Sequence, residues 1–230
     1  HYSYVIPEDE RILQEVYIPD GETKRARPNR FSPAALKEAR NLPGIPPPND
    51  YKDRINLRGL PTFTIDGENA RDFDDAVSIE KEKDGGLKLY VSISDVSYYI
   101  KEGSALDEDA FLRGTSVYFP DRAISMFPPE LSNAICCLHP KLDRLTLTIE
   151  LRYDANGERR GFQFYPSVIQ SDERLTYTIV RKILVDEDAE LRDKFRAIFE
   201  PLEWMASLSQ GLREKRMARG ALDFDLPEPE

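Results

Sequence analysis

The dipeptide Asn156-Gly157 constrains the fold most sharply, because it stands between two extended runs, Leu145 to Tyr153 and Gly161 to Ile169. Asn-Gly between strands supplies the positive φ angles of a tight hairpin turn, so the two runs are expected to pair antiparallel. A second turn of the same kind, Asp84 to Gly86, joins Ala76 to Glu82 with Leu87 to Ile93, and Thr62 to Ile65 precedes them as a further strand. A sheet of at least four strands, mostly antiparallel, follows. Helices are placed by their caps. Ser32 opens a helix over Pro33 to Asn41, Ser104 with Asp107 forms a capping box that opens one through Arg113, and Thr176 caps one running to about Val185. Leu191, Phe195, Ile198, Leu202, Met205, Leu208 and Leu212 then recur at spacings of three and four, which predicts one long amphipathic helix packed on the sheet. The fold class is therefore α+β.

The 230 residues, 40% hydrophobic and 32% charged, suffice for one large domain or two small ones. No run approaches the roughly 18 to 20 apolar residues of a membrane helix, and His1 to Asp9 lacks a basic start leading into an apolar stretch. Neither a membrane nor a secretory destination is expected. Cys136 and Cys137 are adjacent, a spacing at which a bridge would be strained, so buried, reduced thiols in a cytoplasmic protein are expected. Along the chain, residues 1–20 hold two short extended runs, Tyr2 to Ile6 and Leu13 to Ile18, a hairpin at most. Residues 21–58 form a Pro-rich linker with one short helix, stiffest at Pro43 to Tyr51, and residues 59–230 form the strongly patterned domain.

The net charge of −10 is unevenly spread. Residues 61–115 carry 13 Asp and Glu against 6 Lys and Arg, whereas residues 1–60 come to +1. Within the acidic part, Thr64 to Val77 reads TIDGENARDFDDAV, with aspartates at 66, 72, 74 and 75 around the end of one strand and the start of the next. On a regular strand Asp72 and Asp74 would share one face and Asp75 would oppose them, so convergence requires an irregular loop, which Gly67 permits. Short oxygen donors suit Mg²⁺ or Mn²⁺, and the lack of nearby His or Cys argues against zinc. The histidines are His1 and His139, the latter in a Leu-His-Pro turn that suits a surface or capping role. An EF-hand loop is discounted, since neither D-x-D-x-D-G nor its flanking helices occur. A solvated acidic turn and a metal-dependent phosphoryl-transfer site both remain, and spacing does not choose between them.

The same segment resembles the signature that opens the RNB catalytic domain of the RNase II/RNase R family. LYVSISDVSYYI (Leu89 to Ile100), RGTSVYFPDRAISMFPPELSNAICCLHP (Arg113 to Pro140), DRLTLTIEL (Asp143 to Leu151) and ERLTYTIV (Glu173 to Val180) resemble its successive blocks, so that residues 52 to 227 are covered. The resemblance implies an RNB-type sheet packed by helices and Mg²⁺-dependent (Mn²⁺ being an alternative) hydrolysis of single-stranded RNA from the 3′ end, processively, to nucleoside 5′-monophosphates. It implies a metal site of Asp66, Asp72, Asp74 and Asp75, in which Asp66 and Asp75 ligate the ion directly, Asp72 and Asp74 complete the acidic set, and Asp74, orienting metal or water, is the one most needed for chemistry. It also implies that Tyr177 lies near the scissile phosphate and that Tyr118 and Phe224 stack on bases. YVIPEDERILQEVYIP resembles part of a cold-shock domain, so a partial OB-type hairpin is expected ahead of the catalytic domain. The family's S-P-I-R-R-Y block, whose arginine holds the phosphate, does not occur, and weaker stabilisation of developing charge is the expected consequence. The alternative to a nuclease is a catalytically incompetent RNA-binding or regulatory fragment of the same fold, and the intact aspartate set favours the nuclease.

Overall fold

A computed structural model describes residues 31–118 and 123–222. The N-terminal hairpin expected over residues 1–20, with its cold-shock resemblance, and Phe224 lie outside the described residues. In chain order the elements are α1 (Pro33–Arg40), β1 (Ile55–Asn56), β2 (Thr62–Asp66), β3 (Asp75–Lys81), β4 (Leu87–Ser94), α2 (Val96–Tyr99) and α3 (Ala105–Arg113). They continue with β5 (Val117–Tyr118), β6 (Ala123–Ile124), β7 (Asp143–Tyr153), β8 (Arg159–Gln170) and β9 (Glu173–Thr176). The last are α4 (Tyr177–Leu184), α5 (Ala189–Lys194) and α6 (Arg196–Ala218). The described residues fall into two compact units, one of 31–42 and 96–134, the other of 43–95 and 135–222.

The second unit is built on a seven-stranded sheet in the order β1-β8-β7-β4-β3-β2-β9. Its centre is antiparallel, as the two turn signals predict: β3 pairs β4 across the Asp84 turn, and β7 pairs β8 across Asn156-Gly157. Gly157 adopts φ 71°, the conformation for which glycine is suited at that turn. The two edges are parallel, β1 beside β8 and β9 beside β2. Neither edge strand is marked in the sequence, because each is too short to show alternation.

Alternation along the strands gives the sheet two different faces. On one, Phe63, Leu175, Ile183, Phe195, Ile198 and Leu202 bury against one another where α4, α5 and α6 pack, and Ile79, Tyr153 and Leu208 extend this core along α6. On the other, Phe73, Ala76, Tyr90, Cys137, Leu138 and Ile169 form a second cluster. Beside it, buried hydroxyls satisfy one another: Ser92 Oγ meets Thr148 Oγ1 at 2.7 Å, and Ser167 Oγ meets Thr148 and Thr146 Oγ1 at 2.6 and 2.7 Å. Such mutual pairing keeps a polar patch from leaving unsatisfied groups in the interior.

The single long helix expected over Leu191 to Leu212 is instead two, α5 and α6, separated at Phe195 (φ −103°, ψ 22°). The break lets the Phe195 ring enter the core cluster while Leu191 still packs at its margin. Periodicity alone does not detect it, since one non-helical residue preserves the apolar spacing. The predicted caps are present: Thr176 Oγ1 accepts from Ile179 N at 3.2 Å, and in the first unit Ser32 and Ser104 cap α1 and α3. Asp107 returns its carboxylate to Gly103 N at 2.9 Å, one residue ahead of the usual capping-box partner.

Candidate active site

β2 and β3 pair only through Thr62 with Ser78 and Phe63 with Val77. Above that point they part: Thr64 to Asp66 stay paired with β9, and Asp75 and Ala76 with β4. Residues 67–74 span the gap as irregular backbone, which is the loop that the aspartate spacing demands. Asp66 ends β2 and Asp75 begins β3, so the acids bracket this loop at one end of the sheet.

The loop is pinned from within by Phe73, which is buried in the second core cluster between the partly buried Asp72 and the exposed Asp74. Phe73 N donates to Cys137 Sγ at 3.2 Å, and Phe73 O accepts from Leu138 N at 2.9 Å. Cys137 Sγ lies 3.4 Å from Arg71 O, and Asp74 O accepts from Ser94 N at 2.9 Å. Adjacent backbone is therefore fixed on both sides of each acid at 72 and 74. Cys136 and Cys137 are free and buried, and burial pushes their thiols up to about 12 and about 11. They serve here as packing and as a weak hydrogen-bonding partner rather than as nucleophiles.

The four carboxylates act on one another electrostatically. Asp74 can be reached by solvent, yet loss of surrounding water together with the charges of Asp72, Asp75 and Asp66 pushes its carboxyl up to about 6. Burial likewise raises Asp66, with Asp75 and Asp72 acting in the same direction and the Thr64 hydroxyl and Arg174 opposing them in part. Asp66 Oδ2 is buried and has no hydrogen-bond partner among the described residues. An orphaned carboxylate oxygen beside repelling like charges fits a hard divalent cation in donor chemistry and in charge. Among the described residues no three His, Cys, Asp or Glu side chains stand close enough together to hold a metal ion, so binding one requires the carboxylates to turn inward.

Tyr177 joins the same end of the sheet. Asp66 is the register partner of Thr176, and Tyr177 follows it as the first residue of α4, 66% exposed. Tyr118 ends β5, paired with Ala123, in the other compact unit. Two further residues, one in the loop and one beside it, are not marked in the sequence. Glu68 is held below the usual carboxylate range by a hydrogen bond from Thr178 in the first turn of α4. Arg174 reaches the loop from β9, and nothing in a four-residue strand signals this until β9 is known to lie beside β2.

The RNB domain family model matches residues 54–230. The chain belongs to the RNase II/RNase R family. This RNB-domain protein is 44% identical over 224 residues to ribonuclease R of Aquifex aeolicus, a match covering 97% of the chain and 31% of that relative. It is 46% identical over 175 residues to ribonuclease R of Escherichia coli, covering 76% and 21%. Among solved structures, Mycoplasma genitalium RNase R in complex with ribose-methylated single-stranded RNA is similar with a TM-score of 0.77 at 26% identity, over 86% of the chain and 31% of that protein. The RNB-domain chain thus spans about a fifth to a third of the length of these relatives.

Proposed function

We propose that the acidic loop is the metal-dependent hydrolytic centre of an exoribonuclease that removes nucleotides processively from the 3′ end of single-stranded RNA as 5′-monophosphates. The observation that carries this reading is the loop at 67–74, which brings four mutually repelling carboxylates to one end of the sheet and leaves Asp66 Oδ2 buried without a partner. The ribonuclease R relatives, and the RNA-bound structure among them, support RNA as the substrate.

In this reading Asp66, Asp72, Asp74 and Asp75 hold Mg²⁺ or Mn²⁺. Such an ion, when bound, activates water and stabilises charge on the phosphate oxygens in an in-line displacement. The protein's own contribution is largely placement. Phe73 and its backbone partners fix the loop, so that a bound ion has to gather side chains but not backbone. Asp74, with its carboxyl near 6, is largely ionised at neutral pH and is the acid that orients metal or water. Tyr177 offers an exposed hydroxyl at the N-terminus of α4, where helix amides favour phosphate. Tyr118 and Phe224 stack on bases, a contact indifferent to sequence. In this reading the protein acts in the cytoplasm, where free thiols such as those of Cys136 and Cys137 stay reduced.

Polarity and metal dependence test the proposal together. With Mg²⁺, a 5′-labelled single-stranded oligoribonucleotide should shorten from its 3′ end and release mononucleotides, a 3′-blocked one should resist, and EDTA should stop the reaction. Internal cleavage fragments, or activity that survives EDTA, would overturn it.

A further inference from the structure

Arg174 lies on β9, in register with Thr64, and extends its guanidinium under the acidic loop. Its Nη2 donates to three carbonyls of the turn, those of Gly67 at 3.1 Å, Glu68 at 2.9 Å and Ala70 at 3.4 Å. Its Cζ lies 4.9 Å from the centre of the ring of Phe73, the residue that anchors the other end of the loop. Its Nε is buried without a hydrogen-bond partner among the described residues, so the side chain is held by these contacts and not by an acid.

We propose that Arg174 is a positioning residue, the strut that holds residues 67–74 in the shape that presents Asp66, Asp72 and Asp74 together. The inference rests on the metal-site reading above. An arginine suits the task because one guanidinium nitrogen donates to the turn carbonyls while the flat group behind it lies within cation–π distance of the Phe73 ring, a combination that a compact lysine ammonium matches less well. Its positive charge also lies close enough to Asp66 to temper the repulsion among the acids. Arg174 touches neither substrate nor metal in this account. Removing it frees the carbonyl turn, and the carboxylates carried on that turn lose the backbone that aims them.

The test compares the wild type with Arg174→Met, Arg174→Lys and Leu208→Ala, the last a core change under α6 in a cluster that does not include the loop. Mn²⁺ affinity is read by electron paramagnetic resonance, and loop order by amide exchange over residues 67–75. Arg174→Met should weaken Mn²⁺ binding by roughly 10- to 100-fold, as loss of outer-sphere support does at other metal sites. It should also speed exchange in the loop and, in RNA hydrolysis, lower kcat with KM unchanged, and excess Mn²⁺ should restore part of the rate. Arg174→Lys should fall between, and it serves as the readout if the methionine variant does not fold. Leu208→Ala should lower thermal stability yet leave Mn²⁺ affinity intact.

Unchanged Mn²⁺ binding and loop exchange in both Arg174 variants would overturn the inference, as would an equal loss of affinity in Leu208→Ala. A wild type that binds Mn²⁺ but does not hydrolyse RNA would overturn the proposed function, and an Arg174 effect on affinity would still support the strut. If the wild type bound no Mn²⁺, the metal site would fail, and the amide-exchange comparison would decide the role of Arg174.

Discussion

Asp66 and Thr176 are register partners across the parallel β2–β9 pair, which sets an acid of the candidate site beside the residue that caps α4. The cap thereby determines where α4 begins, and so where Tyr177 stands relative to the acids. Thr176→Ala removes the side-chain bond to Ile179 N and is expected to cost about 1 kcal/mol of unfolding free energy. Thr176→Ser should retain most of it. Urea denaturation of the three proteins measures the difference.

Tyr177 separates function from stability, because at 66% exposure it has little packing to lose. Tyr177→Ala is expected to change unfolding free energy by no more than about 0.5 kcal/mol. The rate of RNA shortening should fall, and Tyr177→Phe should show whether the hydroxyl or the ring is responsible. A variant as active as the wild type would remove Tyr177 from the site.

The acidic loop should leave a mark on the pH dependence of folding. Asp74 is raised from 3.8 to about 6 by partial desolvation and by Asp72, Asp75 and Asp66, so the folded state holds its proton more tightly than the unfolded state. Stability from this group is full below about pH 4 and is lost as pH rises through about 6. Discounted for solvent screening at an exposed carboxylate, the loss is on the order of 1 kcal/mol. Asp74→Asn should flatten the metal-free profile between pH 4 and 7 in thermal melts, and identical slopes for the two proteins would contradict the coupling. Because a cation needs the ionised form, Mn²⁺ affinity should rise over the same interval.

The cysteines give a simple check of the inner wall of the loop. Cys136 and Cys137 are buried, with thiols pushed up to about 12 and about 11, so neither should react with an aromatic disulfide reagent at pH 8 in the native protein. Both should react in urea. Rapid labelling of the native protein would place the Phe73 anchor in a more open loop.

Much of this arrangement is legible in the sequence because local chemistry specifies it. Asn156-Gly157 and the Asp84 turn define two antiparallel pairs by themselves, and Ser32, Ser104 and Thr176 each mark a helix start that a backbone amide then uses. The incompatibility of Asp72, Asp74 and Asp75 with a single strand face predicts the irregular loop. What escapes is whatever depends on partners distant in the chain. β9 becomes a strand only beside β2, and Arg174 acquires its three carbonyls only through that pairing. The break at Phe195 escapes for a related reason, since its ring is drawn into a cluster assembled from β2, β9 and α4.

The proposed metal-dependent RNA hydrolysis by Asp66, Asp72, Asp74 and Asp75 stands or falls on Asp74→Asn. Release of nucleoside 5′-monophosphates from single-stranded RNA should be measured for the wild type and this variant with Mn²⁺ at pH 7.5. The substitution preserves shape and removes one charge, so the variant should keep its fold and lose activity by about a hundredfold or more. An Asp74→Asn protein that releases monophosphates at the wild-type rate would contradict the account.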